Sequence, residues 1–426
     1  MNLVTLDIKG TAVNRSDPKE PLTNGTRFNM GRKGVIVGYE DRINILQDRI
    51  QEQGLCGALL FYSRDVLYYT GTAQPSYLVV LPQEYIMFVK SGLDFALHDA
   101  FIAKDRIREE RQLENIYREV FSESHTDGKI GTELDVLPAR QLYDLKKAFP
   151  GYEFVDISPV VLEQRQTKDP SEINKIRKAC EAIDKGHEAV LWTLREGITA
   201  LELAAAVENA HRLAGHEGIF FIRQPDFFMS RGPVSSGPNL FKTSGVVYTI
   251  TGVGLSPSVP AGPSRRTISR GDLVIVDVPI LVEGYHADQT RTYILGKANE
   301  KIKTMYRSLK EIADYLIELI KPGMKCSEMC HEALEKSKKL KVPDAFLNLG
   351  SGKKSGLIGH GIGLELNEPP VLSGHNHSEV SDGYVVALDM HMMDENVGVV
   401  KLEDMILVNH KGNEMLTKSP RQLFEI

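Results

Sequence analysis

The chain has 426 residues, with 51 Lys and Arg against 57 Asp and Glu, so its formal net charge is −6 at pH 7. A hydrophobic content of 42% and a charged content of 25% are typical of a globular protein with a full core. No window approaches the roughly 18 uninterrupted apolar residues of a membrane span. The first ten residues include Asp7 and lack the apolar segment of a secretory signal. We therefore expect no membrane as partner.

The charge balance and the cysteine count exclude further classes. A slightly acidic chain without marked basic clusters argues against nucleic acid as the main partner. Four cysteines in a chain of this length do not make a disulfide framework. We therefore expect a cytoplasmic protein.

The first part of the chain predicts an irregular lead-in followed by a small domain. Residues 1–38 are polar and rich in Gly and Asn, without a regular period. From there a helical stripe over 41–53 is followed by the short apolar run 57–62, which suits a buried strand, and such elements continue to alternate. We predict an α/β domain over residues 39–165, with its boundary in the polar segment 164–171.

The remainder, residues 166–426, is predicted to be a second domain that opens with a long helix capped by Ser171. Segment 195–203 aligns with 321–329, because each follows a long amphipathic helix and carries a Gly turn into another helix. This weak repeat indicates two pseudo-symmetric halves with a site between them. Strand-like runs lie between and after the helix pairs, at residues 245–250, 273–278, 290–295, 384–389 and 404–408.

The strongest local signal is a pair of strand-like segments that each carry an aspartate, Asp277 and Asp288. A turn centred between Val282 and Glu283 would place these two carboxylates opposite each other across a hairpin. Like charges so placed are destabilising unless a cation lies between them, which makes the pair a candidate site for a divalent ion. The alternative, equally weighted, is that one Asp is a turn residue and the other pairs with Arg291.

Three further residues extend this candidate site. His360 lies between glycines that let backbone or a ligand come close, although a lone His is as often structural. Asp389 and Glu403 each lie at an end of an apolar run, where an unpaired acid is costly. Four carboxylates and one imidazole suit one or two divalent ions such as Mn, Co, Fe or Zn.

The order of these residues resembles the creatinase, prolidase and aminopeptidase P branch of the pita-bread metallopeptidases. The resemblance covers roughly residues 39–426 and is carried by Asp277 and Asp288, the Gly-His-Gly segment at His360 and the two C-terminal acids. It implies an α/β (α+β) fold, with a smaller creatinase-type N-terminal α/β domain and a C-terminal pita-bread domain of pseudo-two-fold halves. It also implies a small-molecule or short-peptide substrate and, since dimers are common in the family, a homodimer.

The resemblance further implies a dinuclear metal site and assigns roles within it. Asp277, Asp288, His360 and Glu403 match the family's ligands, and Asp288 and Glu403 stand at the positions that bridge the two ions. The carboxylate at the position of Asp389 is both a ligand and the general base.

Four positions depart from the family pattern. The family's Glu is Asp389 here, one methylene shorter and followed by Met rather than Pro, so we expect one metal position to be weak. Asn367 replaces a His that contacts the substrate, and it cannot exchange a proton near pH 7. Pro260 stands near the place of another usual His, and Lys401 replaces an Arg. The nearby candidates for the missing acid–base group, each expected to face solvent, are His286, His375, His377 and His391.

The leading functional hypothesis is an Xaa-Pro dipeptidase- or aminopeptidase-like metal-dependent hydrolase with altered surroundings of its metal ligands. One alternative is a non-peptidase enzyme on the same scaffold, a lyase or an amidinohydrolase-like enzyme. The other is a non-catalytic binding protein on a decayed peptidase core. Metal retained after dialysis separates a decayed site from either enzyme, and Xaa-Pro dipeptides separate the two enzymes.

Overall fold

The structure, a computed structural model, describes residues 38–121, 128–227, 229–245 and 248–426. The predicted lead-in therefore lies outside the described residues, apart from Gly38. The described residues all belong to one compact unit by their contacts. Within the described part of the chain, none of the helices is long and apolar enough to cross a membrane.

The N-terminal part is a mixed sheet with helices on both faces. Neighbouring residues of a central strand, such as Leu59 and Leu60, are buried in different apolar clusters, and this two-sided burial explains why the strands are continuous apolar runs. The strand order is β4-β3-β2-β1-β5-β6. The elements are α1 (Tyr39–Glu52), β1 (Gly57–Leu60), α2 (Ser63–Thr70), β2 (Ser76–Val80), β3 (Tyr85–Val89), α3 (Leu93–Asp99), β4 (Ile107–Glu109), α4 (Leu113–Val120), β5 (Gly128–Thr132), α5 (Ala139–Ala148), β6 (Tyr152–Asp156) and α6 (Ser158–Gln166).

The C-terminal part contains a larger sheet with the strand order β15-β14-β16-β17-β11-β8-β7, with β18 beside β17 and β19 beside β11. Helices α7 to α10 complete it. Its elements are α7 (Pro170–Thr193), α8 (Ala200–Leu213), β7 (Val234–Ser236), β8 (Leu273–Asp277), β9 (Ile280–Val282), β10 (Tyr285–Ala287), β11 (Thr290–Ile294), α9 (Glu300–Leu319), α10 (Cys326–Lys339), β12 (Asn348–Gly350), β13 (Lys353–Lys354), β14 (Leu357–Gly361), β15 (Glu368–Ser373), β16 (Val385–Asp394), β17 (Gly398–Leu407), β18 (Glu414–Met415) and β19 (Phe424–Glu425).

The helices occur as two similar pairs, as the repeat predicts. The long helices α7 and α9 each lead through a glycine with positive φ, Gly197 or Gly323, into a helix of 14 residues. In both pairs the glutamate at the third position of the second helix, Glu202 or Glu328, accepts a hydrogen bond from the backbone N–H of the capping residue. The two halves therefore begin their second helices in the same way.

Two local predictions are wrong. The cap of α7 is Asp169 rather than Ser171, because the Asp169 carboxylate accepts from the backbone N–H groups of Ser171 and Glu172 while Pro170 occupies the first helical position. The described residues of the predicted strand 245–250 do not form one, since none of them pairs with a neighbouring strand.

The hairpin that carries the aspartates also differs in register from the prediction. Its turn consists of Glu283 and Gly284, both with positive φ (50° and 80°), so that Val282 pairs with Tyr285. Asp277 consequently pairs with Thr290, and Asp288 lies diagonal to Asp277 rather than opposite it. The shift arises because a two-residue turn with two left-handed residues moves the centre of the hairpin by one residue.

Candidate functional site

A row of polar side chains crosses the middle of the C-terminal sheet. Asp389 on β16 pairs with Glu403 on β17, Glu403 pairs with Thr290 on β11, and Thr290 pairs with Asp277 on β8. Directly paired residues of neighbouring strands point to the same face of a sheet. The sheet order therefore brings three of the predicted acids into one line, although they are far apart in sequence.

The other two predicted ligands lie beside this row, on one side of it. His360 on β14 pairs with Ala387, two residues before Asp389. Asp288 lies two residues before Thr290, and its backbone N–H contacts the sulfur of Met405 at 3.1 Å. All five predicted residues, Asp277, Asp288, His360, Asp389 and Glu403, are thus brought together, and we call them the acidic cluster.

Three members of the acidic cluster could hold a metal ion between them. Ligand atoms of Asp288, His360 and Glu403 lie within 4.8 Å of one another. The Nδ1 atom of His360 lies 3.0 Å from the carbonyl oxygen of Gly361, so Nδ1 carries the proton and Nε2 keeps its lone pair. Glu403 Oε1, 3.9 Å from that Nε2, is buried and has no hydrogen-bond partner among the described residues. A cation would satisfy both atoms, so the residues present fit a divalent ion.

A lysine lies on the other side of the row. The Lys401 ammonium is 2.5 Å from Asp277 Oδ2, 3.1 Å from Asp389 Oδ1 and 3.7 Å from Glu403 Oε2, and its side chain is 1% exposed. Sequence reasoning noted this residue as a replacement of an Arg but did not place it among the carboxylates. Its position on β17 two residues before Glu403, hence on the same face, was a signal that could have done so.

The electrostatics of the acidic cluster are dominated by burial and like charge. Burial, and then the neighbouring Asp277 carboxylate, raise the pKa of Asp288 well above its usual range. Burial and the charge of Asp288 do the same to the pKa of Glu403. Burial alone would lower the pKa of Lys401, but attraction to Asp277 and Asp389 raises it well above its usual value. The cluster thus holds a negative charge that its one ammonium does not balance.

The acidic cluster opens into a cavity of about 280 Å³. Asn367, the predicted substrate-side residue, lies on its wall, whereas Pro260 is not among the described residues that line it. Tyr248, Thr249 and Thr251 line it instead, and the Thr249 hydroxyl lies 3.4 Å from Asp389 Oδ1. Thr249 is therefore a residue next to the acidic cluster that sequence reasoning missed, and the alignment of that loop offered no signal for it.

The four histidines proposed as substitutes do not line the cavity among its described residues. His375 and His377 are exposed, as expected. His286 and His391 are buried, against expectation, and burial lowers the pKa of each to about 4. The His286 Nε2 atom accepts from the backbone N–H of Phe221 and its Nδ1 lies 3.0 Å from the Gly363 carbonyl, so this ring is structural.

The alternative that pairs an aspartate with Arg291 is also wrong. Arg291 is buried and donates to Asp404 at 2.7 Å, the acid that follows Glu403. Asp277 pairs with Lys401 instead. Among the described residues, Lys401 is thus the cationic side chain that pairs with the carboxylates of the acidic cluster.

A second set of buried charges fixes the loop that carries Asn367. Arg165 contacts Glu365 at 2.9 Å and also contacts Glu368, so the residues on both sides of Asn367 are held from α6. We call this set the balanced cluster, because its buried members are three cations and three carboxylates; Arg223 also pairs with the partly exposed Asp135 at 2.6 Å. The buried members are Asp65, Arg165, Lys168, Arg223, Glu365 and Glu368.

The pKa of Glu368 shows the effect of that balance. Burial alone would raise it, but Arg165 and Lys168 hold the pKa of Glu368 at about 2. Sequence reasoning did not find this cluster, since the partners of Arg165 lie 100 to 203 residues away along the chain. Its consequence for the site is a fixed loop at the wall of the cavity.

Comparison with known proteins adds a family to this geometry. The chain matches the Creatinase/Prolidase N-terminal domain over residues 42–167 and Metallopeptidase family M24 over residues 174–410. It is 28% identical over 387 residues to the Xaa-Pro dipeptidase of Pyrococcus furiosus, covering 90% of this chain and 99% of that protein. It is 30% identical over 289 residues to the Xaa-Pro dipeptidase of Pyrococcus horikoshii, covering 67% and 72%.

A solved structure supports the same fold. The Xaa-Pro dipeptidase from Bacillus anthracis superimposes with a TM-score of 0.77 at 23% identity, over 91% of this chain and all (100%) of that one. The α/β fold of two domains and the resemblance to the creatinase and prolidase branch are therefore confirmed.

Proposed function

The chain belongs to metallopeptidase family M24, and we propose on that premise that it is a metal-dependent hydrolase that cleaves the bond between a residue and a following proline. The observation that carries the proposal is the acidic cluster at the floor of a cavity, in which Glu403 Oε1 is buried without a partner among the described residues. Relatives with the Xaa-Pro dipeptidase name cover nearly the whole chain, which supports this activity over the lyase, amidinohydrolase and binding-protein alternatives.

The metal would be held by Asp288, His360 and Glu403, whose ligand atoms lie close enough for one ion. Asp277 and Asp389 are the other two positions that the family pattern assigns to metal, and in this chain both contact the Lys401 ammonium. Oxygen-rich donors with one imidazole suit Mn, Co or Fe, and Zn is also compatible. When bound, such an ion polarises a carbonyl oxygen and lowers the pKa of a water molecule.

The chain's own side chains would supply binding and proton transfer. Asp389 lies at the edge of the row with one oxygen near the Thr249 hydroxyl, where its carboxylate would accept a proton from the attacking water. Asn367 on the cavity wall would donate a hydrogen bond to the substrate but deliver no proton to the leaving amine. A cavity of about 280 Å³ suits a dipeptide or the first residues of a short peptide.

The experiment uses the full chain, freed of metal by chelation and reloaded with Mn²⁺. It is incubated with Ala-Pro, with Ala-Gly and with Ala-Pro-Ala, and released amino acids are quantified. We expect release from Ala-Pro, none from Ala-Gly, and none from chelated protein. Release from Ala-Pro-Ala would indicate the aminopeptidase form of the activity.

Two outcomes contradict the proposal. Retained metal without cleavage of either proline-containing peptide would favour another reaction on this scaffold. Failure to retain metal would favour a binding protein. Asp288→Asn serves as the control variant, because it keeps the size of the side chain and removes one charge from the acidic cluster.

We also propose a homodimer in the cytoplasm, with the domain limits at 39–165 and 166–426. All four cysteines are free thiols, which agrees with a reducing compartment. The division at residue 165 lies close to the interval between the two family matches, at 42–167 and 174–410. Light scattering of the purified chain tests the dimer, and limited proteolysis tests the division.

A further inference from the structure

We propose that the acidic cluster binds a single divalent ion, and that the Lys401 ammonium is a built-in cation in the place of a second one. The inference rests on the proposed metal-dependent function and refines its metal site. It concerns the departure at Lys401 together with the shortened acid Asp389.

The first step is the position of the ammonium. Lys401 Nζ lies within 3.7 Å of an oxygen of three different carboxylates, those of Asp277, Asp389 and Glu403. The side chain is 1% exposed, so the charge is fully enclosed by its neighbours. A small cation is stabilised most at a point surrounded by three carboxylate oxygens. In this chain the Lys401 ammonium occupies that point.

The second step is the division of Glu403 between two cation positions. Its Oε2 accepts from the Thr290 hydroxyl at 2.8 Å and faces Lys401. Its Oε1 has no hydrogen-bond partner among the described residues and faces His360 Nε2 at 3.9 Å. Oε2 of Glu403 thus faces the position that Lys401 occupies. Oε1 faces a second cation position, whose other ligands would be Asp288 and His360.

The third step is that the filled position leaves no room for an ion on Asp277 Oδ2. Ions of the expected type bind carboxylate oxygens at about 2.0–2.2 Å. Asp277 Oδ2 has the ammonium at 2.5 Å, and an ion bound to this oxygen within the row would overlap with it or meet its positive charge at close range. Asp277, a metal ligand in the family pattern, therefore gives this oxygen to the lysine.

The fourth step is the chemistry of the replacement. The arginine guanidinium is planar and delocalised, and it pairs with one carboxylate edge to edge. Lysine is a compact point charge on a flexible stem, so it can enter the space between carboxylates. The methylene missing at Asp389 enlarges that space, and Asp389 turns to Lys401 at 3.1 Å instead of joining the three-residue metal group.

The test is metal stoichiometry, which does not depend on activity. The chelated full chain is titrated with Mn²⁺ by calorimetry, and the loaded protein is examined by electron paramagnetic resonance. We expect about one equivalent per chain in the wild type, with the signal of isolated Mn²⁺ rather than that of an exchange-coupled pair. Binding of about two equivalents, or a coupled signal, would overturn the proposal.

Two variants test the role of the lysine itself. Lys401→Met removes the charge at similar length, and Lys401→Arg installs the residue usual in the family; we expect about two equivalents and a coupled signal in both. Lys301→Met, on the exposed first turn of α9, is the matched control and should keep one equivalent. One equivalent in both Lys401 variants would show that another feature excludes the second ion and would overturn the assignment.

Circular dichroism checks that each variant folds, and if Lys401→Met does not, Lys401→Arg carries the comparison. Hydrolysis of Ala-Pro is measured in parallel on the same wild-type samples. Two ions with hydrolysis would overturn this inference and leave the proposed function standing. One ion without hydrolysis would do the reverse.

Discussion

Two buried sets of charges lie on either side of the loop that carries Asn367, and they differ in one respect. The balanced cluster has three cations for three carboxylates. The acidic cluster has four carboxylates, and the Lys401 ammonium beside them leaves three negative charges in excess when all four are ionised. Buried charges are costly unless they are paired. The excess therefore identifies the cluster that something other than protein must complete.

Glu368 of the balanced cluster and Glu403 of the acidic cluster respond to burial in opposite ways, although burial also raises the pKa of Glu365 in the balanced cluster. Glu368 has a pKa of about 2, because two cations contact it. Burial and neighbouring carboxylates raise the pKa of Glu403 well above its usual value. Equal burial thus gives a structural ion pair in one place and an incomplete metal site in the other.

Breaking the balance should have the largest effect on stability. Arg165→Met leaves three carboxylates with two cations, so we expect the free energy of unfolding to fall by about 3–5 kcal/mol. Urea denaturation measures it. Arg49→Met is the control, since its pair with Glu52 is exposed and should be worth less than about 1 kcal/mol. Equal losses in both variants would show that the balanced cluster is not special.

Removing a charge from the acidic cluster should act through the metal. Asp288→Asn relieves repulsion, so in chelator its stability should equal or exceed that of the wild type. In Mn²⁺ at about a hundred times the dissociation constant, the wild type should gain about 2.7 kcal/mol that the variant lacks. Thermal unfolding with and without Mn²⁺ measures both. A metal-dependent gain of the same size in the variant would contradict the assignment.

The pH dependence of metal-free protein should separate the clusters further. Because the pKa of Glu403 is raised above its usual value of 4.5, the folded state binds more protons than the unfolded state above that pH, so stability is lost as pH rises. Glu403→Gln should therefore gain stability over the wild type at pH 8 more than at pH 5. The gain should grow by at most about 1.4 kcal/mol for every pH unit between pH 5 and pH 8 that lies below the folded-state pKa of Glu403.

The matching variant in the balanced cluster should behave in the opposite way. The pKa of Glu368 is depressed from 4.5 to about 2, so its stabilisation is complete above pH 4.5 and is lost only as pH falls towards 2. Glu368→Gln should be less stable than the wild type by the same amount at about pH 8 and pH 5. If the stability of both variants relative to the wild type changed with pH in the same way, the proposed difference between the clusters would be wrong.

The smallest expected effect concerns Asn367, on the loop between the clusters. Asn367→His restores a group that can deliver a proton, and we expect turnover of Ala-Pro to rise by about tenfold or less, since Asp389 and Lys401 remain. Asn396→His, exposed in the turn between β16 and β17, is the control. Robust wild-type turnover with no gain in Asn367→His would mean that other groups already supply the proton.

The sequence predicted the acidic cluster well and the balanced cluster not at all. Asp277, His360 and Glu403 each lie in a recognisable segment, and the order of segments carried the family resemblance. The direct pairing of Asp277 with Asp288 failed, since the conformation of the Glu283–Gly284 turn fixes the register and cannot be deduced from apolar runs. No local pattern indicates partners that lie a hundred or more residues apart.

The position of Lys401 shows a different limit. Its strand and face follow from its spacing to Glu403, but the point its ammonium reaches depends on the rotamers of a long stem and on the space left by Asp389. The sequence therefore identified the replacement of Arg by Lys401, but it did not predict that the ammonium lies between the carboxylates.

The central claim, that the charge excess of the acidic cluster is completed by a divalent ion, is tested most directly by elemental analysis. The wild type, Glu403→Gln and Glu365→Gln are loaded with Mn²⁺ and dialysed against metal-free buffer, and manganese per chain is measured. We predict that the wild type and Glu365→Gln, a variant of the balanced cluster, retain manganese, and that Glu403→Gln loses it. A wild type without manganese, or a Glu403→Gln variant that retains as much as the wild type, would contradict the account.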